Sequence, residues 1–274
     1  MGREGWRTLA SEKMGCRAEN IVREPEGDSG SRKDRKLRIL GLDTSLERLN
    51  LAVTEEEKIL IEFSREARGI LAEIIFDSID KILRQVQIRL SDLSGLAFSQ
   101  GPGSYTGLRV GLSVAKALAW SNKLALIAVP TFEVLAFQAP EKKSKVAVIT
   151  QSRQGEILGG IYDFSGSVPV QQGGFFIYAT DKLVQLIPVE AVILRLGENP
   201  PLESLKKSLP DRRILINNET TLPRGSSVAL LGREKLKQGQ TVDPRNVEPI
   251  YLQKTIYRSK SANEWIPYPP DARG

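Results

Sequence analysis

The chain has 274 residues, 41% of them hydrophobic and 26% charged, with a formal net charge of +6, which is the composition of a soluble globular protein long enough for one large domain or two packed lobes. It has no histidine, and its one cysteine, Cys16, lies in a polar leader; this excludes a Ser-His-Asp triad, a Cys-His pair, histidine-ligated zinc and any cysteine cluster for zinc or iron–sulfur. Any chemistry falls to Asp, Glu, Lys, Tyr or backbone dipoles, any metal would be a hard cation held by oxygens, and the positive charge permits a nucleic-acid partner without requiring one.

Residues 1–36 are rich in Gly, Ser, Arg and Glu, lack sustained periodicity and read as a disordered leader. They lack the apolar centre of a secretion signal, and no apolar run in the chain approaches the roughly 18 residues of a membrane span. The expectation is a cytoplasmic protein without membrane contact.

A regular pattern begins at Leu37. Apolar runs over 37–42, 48–53 and 58–63, separated by Asp43-Thr44-Ser45 and Glu55-Glu56-Glu57, predict a three-stranded antiparallel meander. A helix follows over 69–86. Its apolar residues Ile70, Leu71, Ile74, Ile75, Phe76, Ile79, Ile82, Leu83 and Val86 sweep roughly 240° of the circumference at about 100° per residue. A helix that covers one side of a sheet needs about half that arc, so two faces of this helix call for burial.

The next strand, 95–98, runs into Gln100-Gly101-Pro102-Gly103-Ser104-Tyr105-Thr106-Gly107-Leu108-Arg109, and a helix continues to Trp120. A strand, a glycine-rich turn and a helix N-terminus in this order suit an anion or a very close backbone contact. The spacing is neither that of the phosphate loop nor that of the dinucleotide fingerprint. Gly107, Gly111 and Ala115 recur every four residues and form a smooth groove flanked by Val110, Val114 and Leu118. Two readings are open for it: a surface for a partner, or a helix wedged between the sheet and its neighbour within one lobe.

A strand over 124–129, a helix over 131–137 and the polar linker Pro140–Lys145 close the first half. The second half repeats the order, with strands over 146–150, 156–164 and 175–178, a helix over 181–187, a strand over 191–196, a helix over 201–209, a strand over 213–216 and a helix over 226–237. Strand-strand-strand-helix-strand-helix therefore occurs twice. This predicts an α/β chain with the duplicated two-lobed actin-like ATPase fold, each lobe a mixed sheet with flanking helices. The lobes are expected at 37–140 and 141–252, with an irregular tail over 253–274.

Four motifs carry a family resemblance: Ile39-Leu40-Gly41-Leu42-Asp43-Thr44-Ser45, the loop Gly101 to Arg109, Arg153-Gln154-Gly155-Glu156, and Pro249-Ile250-Tyr251-Leu252. In content, order and spacing they resemble the TsaB (YeaZ) family over residues 37–252. The resemblance implies a non-catalytic partner in threonylcarbamoyladenosine synthesis on tRNA. Such a protein pairs with the transferase TsaD and the ATPase TsaE, reaches tRNA through the complex, and is a candidate homodimer when TsaD is absent. It implies no cofactor for this chain, with ATP and a metal ion in the partner subunits. TsaD-type relatives bind metal through two histidines four apart on the first helix after the meander; here aliphatic residues around Leu71 and Ile75 stand in that region. Members of the family pair with TsaD through the two helices described above, so the resemblance assigns Leu71, Ile75, Ile79, Gly107, Arg109, Gly111, Val114 and Ala115 to the partner interface.

Asp43, Thr44 and Ser45 end the first strand where actin-like ATPases place a carboxylate near metal and phosphates, and with Gly101, Gly103 and Ser104 they are the candidate nucleotide contacts. The alternative is a polar turn whose side chains bond their own backbone. In the second half Gln151-Ser152-Arg153 stands at the corresponding turn without a carboxylate. Arg153 and Glu156 brace that turn or touch a partner. Arg109 meets a partner carboxylate, a tRNA phosphate or solvent. The residues thus point to a scaffold subunit, with an autonomous nucleotide hydrolase or small-molecule kinase of the same fold as the alternative.

Overall fold

Two five-stranded sheets share one strand order. The computed structural model describes residues 36–140, 145–151, 156–164, 166–179, 183–197, 201–211, 213–215, 222–251, 256–258 and 265–267. In the first half, β1 (Arg38–Asp43), β2 (Arg48–Glu55) and β3 (Lys58–Glu66) are followed by α1 (Leu71–Gln85), β4 (Gly95–Gly101), α2 (Tyr105–Asn122), β5 (Ala125–Pro130) and α3 (Thr131–Phe137). The sheet order is β3-β2-β1-β4-β5, antiparallel through the meander and parallel from β1 to β4 and β5. The second half has β6 (Val146–Gln151), β7 (Ile157–Asp163), β8 (Val170–Tyr178), α4 (Leu183–Leu186), β9 (Val192–Arg195), α5 (Leu202–Ser208) and β10 (Arg213–Leu215). Its order, β10-β9-β6-β7-β8, is the same succession read from the other edge. The duplicated α/β architecture expected from the element order, two mixed sheets with flanking helices, is the fold of the chain.

Strand alternation decides which helix covers which face. In β1, Leu40 and Leu42 join the cluster that contains Ile75, Ile79, Leu112, Val114 and Ala115 of α1 and α2. Ile39, one residue out of phase, joins Ala97, Ile127, Val228, Ala229 and Leu231 on the opposite face. The last three belong to α6 (Gly225–Lys237). On the second sheet, Val146, Val148, Leu158 and Tyr162 meet Phe132, Leu135 and Ala136 of α3. Ala147, Ile149 and Ile193 face Leu183, Ile187, Leu205 and Leu209. α3 therefore serves both halves, because its Val134 belongs to the first-sheet cluster. Lys235 reaches Glu133 of α3 at 3.0 Å; burial raises the Glu133 pKa, and the nearby Lys235 charge opposes that shift.

Three expectations change here. The helix 226–237 was expected in the second lobe, 141–252, yet α6 lies on the first sheet. The reason is steric. A Cβ at Gly41 would stand 2.2 Å from the Gly225 carbonyl oxygen, so the helix start rests directly on β1, where only a glycine fits. Glu62 of β3 accepts from the Ser226 backbone N–H at 3.0 Å and from its hydroxyl, capping that helix from across the sheet. The chain then runs over the first sheet, where the Val242 N–H donates to the Leu126 carbonyl oxygen at 2.9 Å. The tail was expected to be irregular, but β11 (Ile256–Arg258) pairs antiparallel with β12 (Trp265–Pro267). Short segments so near prolines give little periodic signal. β8 also begins earlier than expected, at Val170, since its Gln and Gly residues are poor strand formers that an edge position tolerates. The leader to Arg35, residues 141–144 of the linker and the Arg153 turn lie outside the described residues.

Candidate functional site

Asp43, Thr44 and Ser45 leave the end of β1 directly beneath the glycine-rich loop. All three are buried. One carboxylate oxygen of Asp43 accepts from the Ser45 hydroxyl at 2.7 Å and from its N–H at 3.3 Å, and the other accepts from the Asn50 amide at 3.0 Å. Burial pushes the Asp43 carboxyl above its ordinary range, and the hydrogen bonds from Ser45 and Asn50 oppose that shift. Asn50 in turn accepts from Ser64 at 2.6 Å, which ties the carboxylate into the meander.

The loop closes onto this turn. The Ser104 N–H donates to the Ser45 carbonyl oxygen at 2.7 Å, and the Thr44 hydroxyl donates to the Gly107 carbonyl oxygen at 2.8 Å. Ser104 caps α2 by accepting from the Gly107 N–H at 3.3 Å. A Cβ would stand 2.3 Å from the Ser45 carbonyl oxygen at Gly103, 2.2 Å from the Thr44 carbonyl oxygen at Gly107 and 2.1 Å from the Thr44 hydroxyl at Gly111. On its other side the loop meets the C-terminal segment: a Cβ at Gly101 would lie 2.7 Å from the Ile250 carbonyl oxygen. Gln100 and this segment exchange hydrogen bonds of 2.8 Å through Ile250 and Glu248. Protein atoms thus fill the space beside the Cα atoms of these glycines, which is why none of them can carry a side chain without a shift of the loop.

The outward face of α1 and α2 differs in character. A shallow groove of about 250 Å³ runs between the helices, lined by Ala72, Ile75, Phe76, Arg109, Val110, Ser113 and Val114. Phe76 is 51% exposed, and so is Trp120, at 65%. Seven residues separate Ser113 from Trp120, two helical turns, so Trp120 continues the same stripe of α2. At the mouth of the groove the Arg109 guanidinium sits 4.3 Å from the centre of the Tyr105 ring and donates to the Tyr251 hydroxyl at 3.1 Å. The two tyrosine rings lie 5.2 Å apart.

This geometry redistributes the residues assigned to the interface. Ile75, Ile79, Gly107, Gly111, Val114 and Ala115 are buried within the chain. For the small-residue groove of α2 the wedged reading therefore holds, because Thr44 occupies it. Arg109 is exposed and Leu71 half-buried. Phe76 is the position where the wide apolar arc of α1 goes beyond what the sheet covers. It stood in the apolar pattern without distinction, since periodicity counts apolar residues but does not say which one the sheet leaves uncovered. The Tyr105–Arg109–Tyr251 cluster joins residues 142 apart in sequence, a contact that no local pattern encodes.

A family model described as TsaD, tRNA N6-adenosine threonylcarbamoyltransferase, matches residues 65–187. The tRNA threonylcarbamoyladenosine biosynthesis protein TsaB of Bacillus subtilis is 27% identical over 235 residues, covering 83% of this chain and 97% of that protein. The Escherichia coli protein of the same name is 26% identical, covering 80% of this chain and 96% of its own length. Among solved structures, YeaZ from Pseudomonas aeruginosa superposes with a TM-score of 0.66 at 20% identity, over 78% of this chain and all of that one, so the likeness is one of fold. In motif order, in similarity along about four-fifths of the sequence and in fold, this chain is similar to the TsaB (YeaZ) proteins.

Proposed function

We propose that this chain is a non-catalytic scaffold subunit that dimerises with a TsaD-like transferase. The pair, served by a TsaE-like ATPase, transfers a threonylcarbamoyl group to the adenosine next to the anticodon of ANN-decoding tRNAs. The observation that carries the proposal is the uncovered apolar stripe along the α1/α2 groove, with Phe76 and Trp120 standing out of it. The match to the transferase family model spans 65–187 and so includes both helices. Two chains of like fold can pair through equivalent helices as a pseudo-symmetric dimer, and the same face suits a homodimer when the transferase is absent.

In this reading ATP and the metal ion belong to the partner subunits, tRNA is reached through the complex, and the assembly works in the cytoplasm. No helix among the described residues is long and apolar enough to cross a membrane. The rival reading, an autonomous nucleotide hydrolase or small-molecule kinase, needs a carboxylate open to metal and phosphate. Asp43 is fully buried, with both oxygens engaged by Ser45 and Asn50.

Reconstitution separates the two readings. The purified chain alone is expected to give no ATP turnover and no tRNA modification, and to restore modification when mixed with TsaD, TsaE and the enzyme that activates the carboxylate. ATP turnover by this chain alone would overturn the scaffold reading.

A further inference from the structure

α2 has two flanks. The apolar groove and α1 lie along one. Residues 242–251 run along the other: the Val242 N–H donates to Leu126 of β5, which follows the helix, and the Tyr251 hydroxyl accepts from Arg109 in its second turn. On this second flank Arg109, Lys116 and the C-cap residue Lys123 recur every seven residues. Two helical turns separate them, so successive members sit about 20° apart around the axis and about 10.5 Å apart along it. No acidic residue of Tyr105–Asn122 interrupts the row.

The neighbouring segment leaves that charge in surplus. Its Arg245 is paired with Asp243 at 2.9 Å, and the Lys116 charge also acts on this carboxylate, which places Lys116 and Arg245 around one acid. With that ion pair set aside, Arg109, Lys116 and Lys123 stand against Glu248 among the charged residues of α2 and 242–251. Exposed rings lie at one end of the row. Tyr105 is 47% exposed and Tyr251 40%, their ring centres are 5.2 Å apart, and the Arg109 guanidinium lies over the Tyr105 ring. An acidic peptide would engage the cations and leave the rings without a role. A single RNA strand engages both, its phosphates on the cations and an unpaired base stacked on the aromatic face.

We propose that this flank of α2, from Tyr105 and Tyr251 to Lys116 and Lys123, binds RNA directly, with cations on phosphates and an unpaired base on the tyrosine rings. That the RNA is the tRNA substrate rests on the function proposed above; the chemistry of the flank does not.

The test uses the full chain without partners and, as probe, an unmodified transcript of an ANN-decoding tRNA, with fluorescence anisotropy read between about 50 and 200 mM salt. Lys116→Gln combined with Lys123→Gln removes two phosphate contacts, so the slope of log affinity against log salt is expected to fall by roughly 1.4. Tyr105→Ala is expected to bind about tenfold more weakly with the slope unchanged, and Tyr105→Phe to restore the affinity. A wild-type chain that does not bind the transcript, or a double lysine variant with the wild-type slope, overturns the proposal. If the lysine variant loses slope while Tyr105→Ala binds as the wild type, the base platform is overturned and the phosphate row stands. If the lysine variant keeps its RNA affinity but loses the transferase in calorimetry, the flank belongs to a protein partner, and the RNA proposal falls with the scaffold reading intact. If RNA binding weakens as expected but a reconstituted assembly modifies tRNA at the wild-type rate, the surface stands and its assignment to the tRNA of this reaction is overturned.

Discussion

Thr44 donates its hydroxyl to the Gly107 carbonyl oxygen at 2.8 Å, and the same hydroxyl would lie 2.1 Å from a Cβ at Gly111, one turn further along α2. One β-branched side chain thereby fixes the depth at which the helix sits on the strand end. In an exposed helix Gly→Ala stabilises by about 1 kcal/mol. Here overpacking against a stiff, hydrogen-bonded side chain costs about 1–3 kcal/mol. Gly111→Ala is therefore expected to lower stability by about 1–2 kcal/mol in urea unfolding, and Thr44→Ala in the same chain to recover part of that loss. A stabilised Gly111→Ala variant would contradict the packing described.

The Asp43 carboxyl is raised by burial, and this gives a pH signature with a definite sign. The folded protein takes up the Asp43 proton at higher pH than the unfolded chain does. This group's contribution is thus fully present below the unfolded value and is lost as pH rises through the folded one. Relative to Asp43→Asn, the wild-type protein is expected to gain stability as pH is lowered from 7 towards 4. Melting temperatures of the two proteins across that range check it. A difference that does not change with pH would mean that Asp43 is solvated.

Glu62 holds the start of α6 through the Ser226 N–H and hydroxyl. A carboxylate at a helix N-terminus satisfies a backbone donor and faces the positive end of the dipole. Glu62→Ala is expected to cost about 1 kcal/mol. Its effect should show in hydrogen exchange as faster opening of residues 225–230, with α1 unaffected. Equal protection of α6 in both proteins would argue against the cap.

Much of the architecture was legible in the sequence, because the meander, the loop and the helices each carry a local signature. Alternation in β1 and the glycine-rich turn into α2 place those elements without any long-range knowledge. Long-range seating was not legible. Nothing in Gly225–Lys237 says which sheet its small residues fit, and the answer lies in Gly41, far away in sequence. The same holds at the site. The pattern Gly107, Gly111, Ala115 marks a close approach, but only the fold says that Thr44, and not another molecule, makes it. Phe76 differs from its neighbour Ile75 only in which way the sheet faces.

That difference decides how the interface should be probed. Ile75 is 0% exposed, and a charge there is buried without a partner, so Ile75→Glu is expected to unfold the first lobe. Loss of partner binding in that variant carries no information about contact. Val114→Glu has the same defect at 6% exposure. Circular dichroism and urea midpoints are expected to separate these two from Phe76→Asp, which should change stability by no more than about 0.5 kcal/mol.

The dissociation constant for the TsaD-like transferase, measured by calorimetry with the wild-type chain and with Phe76→Asp, tests the scaffold account most directly. An apolar anchor at an interface centre is worth about 2 kcal/mol or more on truncation, so the account predicts at least about a tenfold weaker complex with an unchanged unfolding midpoint. A folded Phe76→Asp variant that binds the transferase as tightly as the wild type would contradict it.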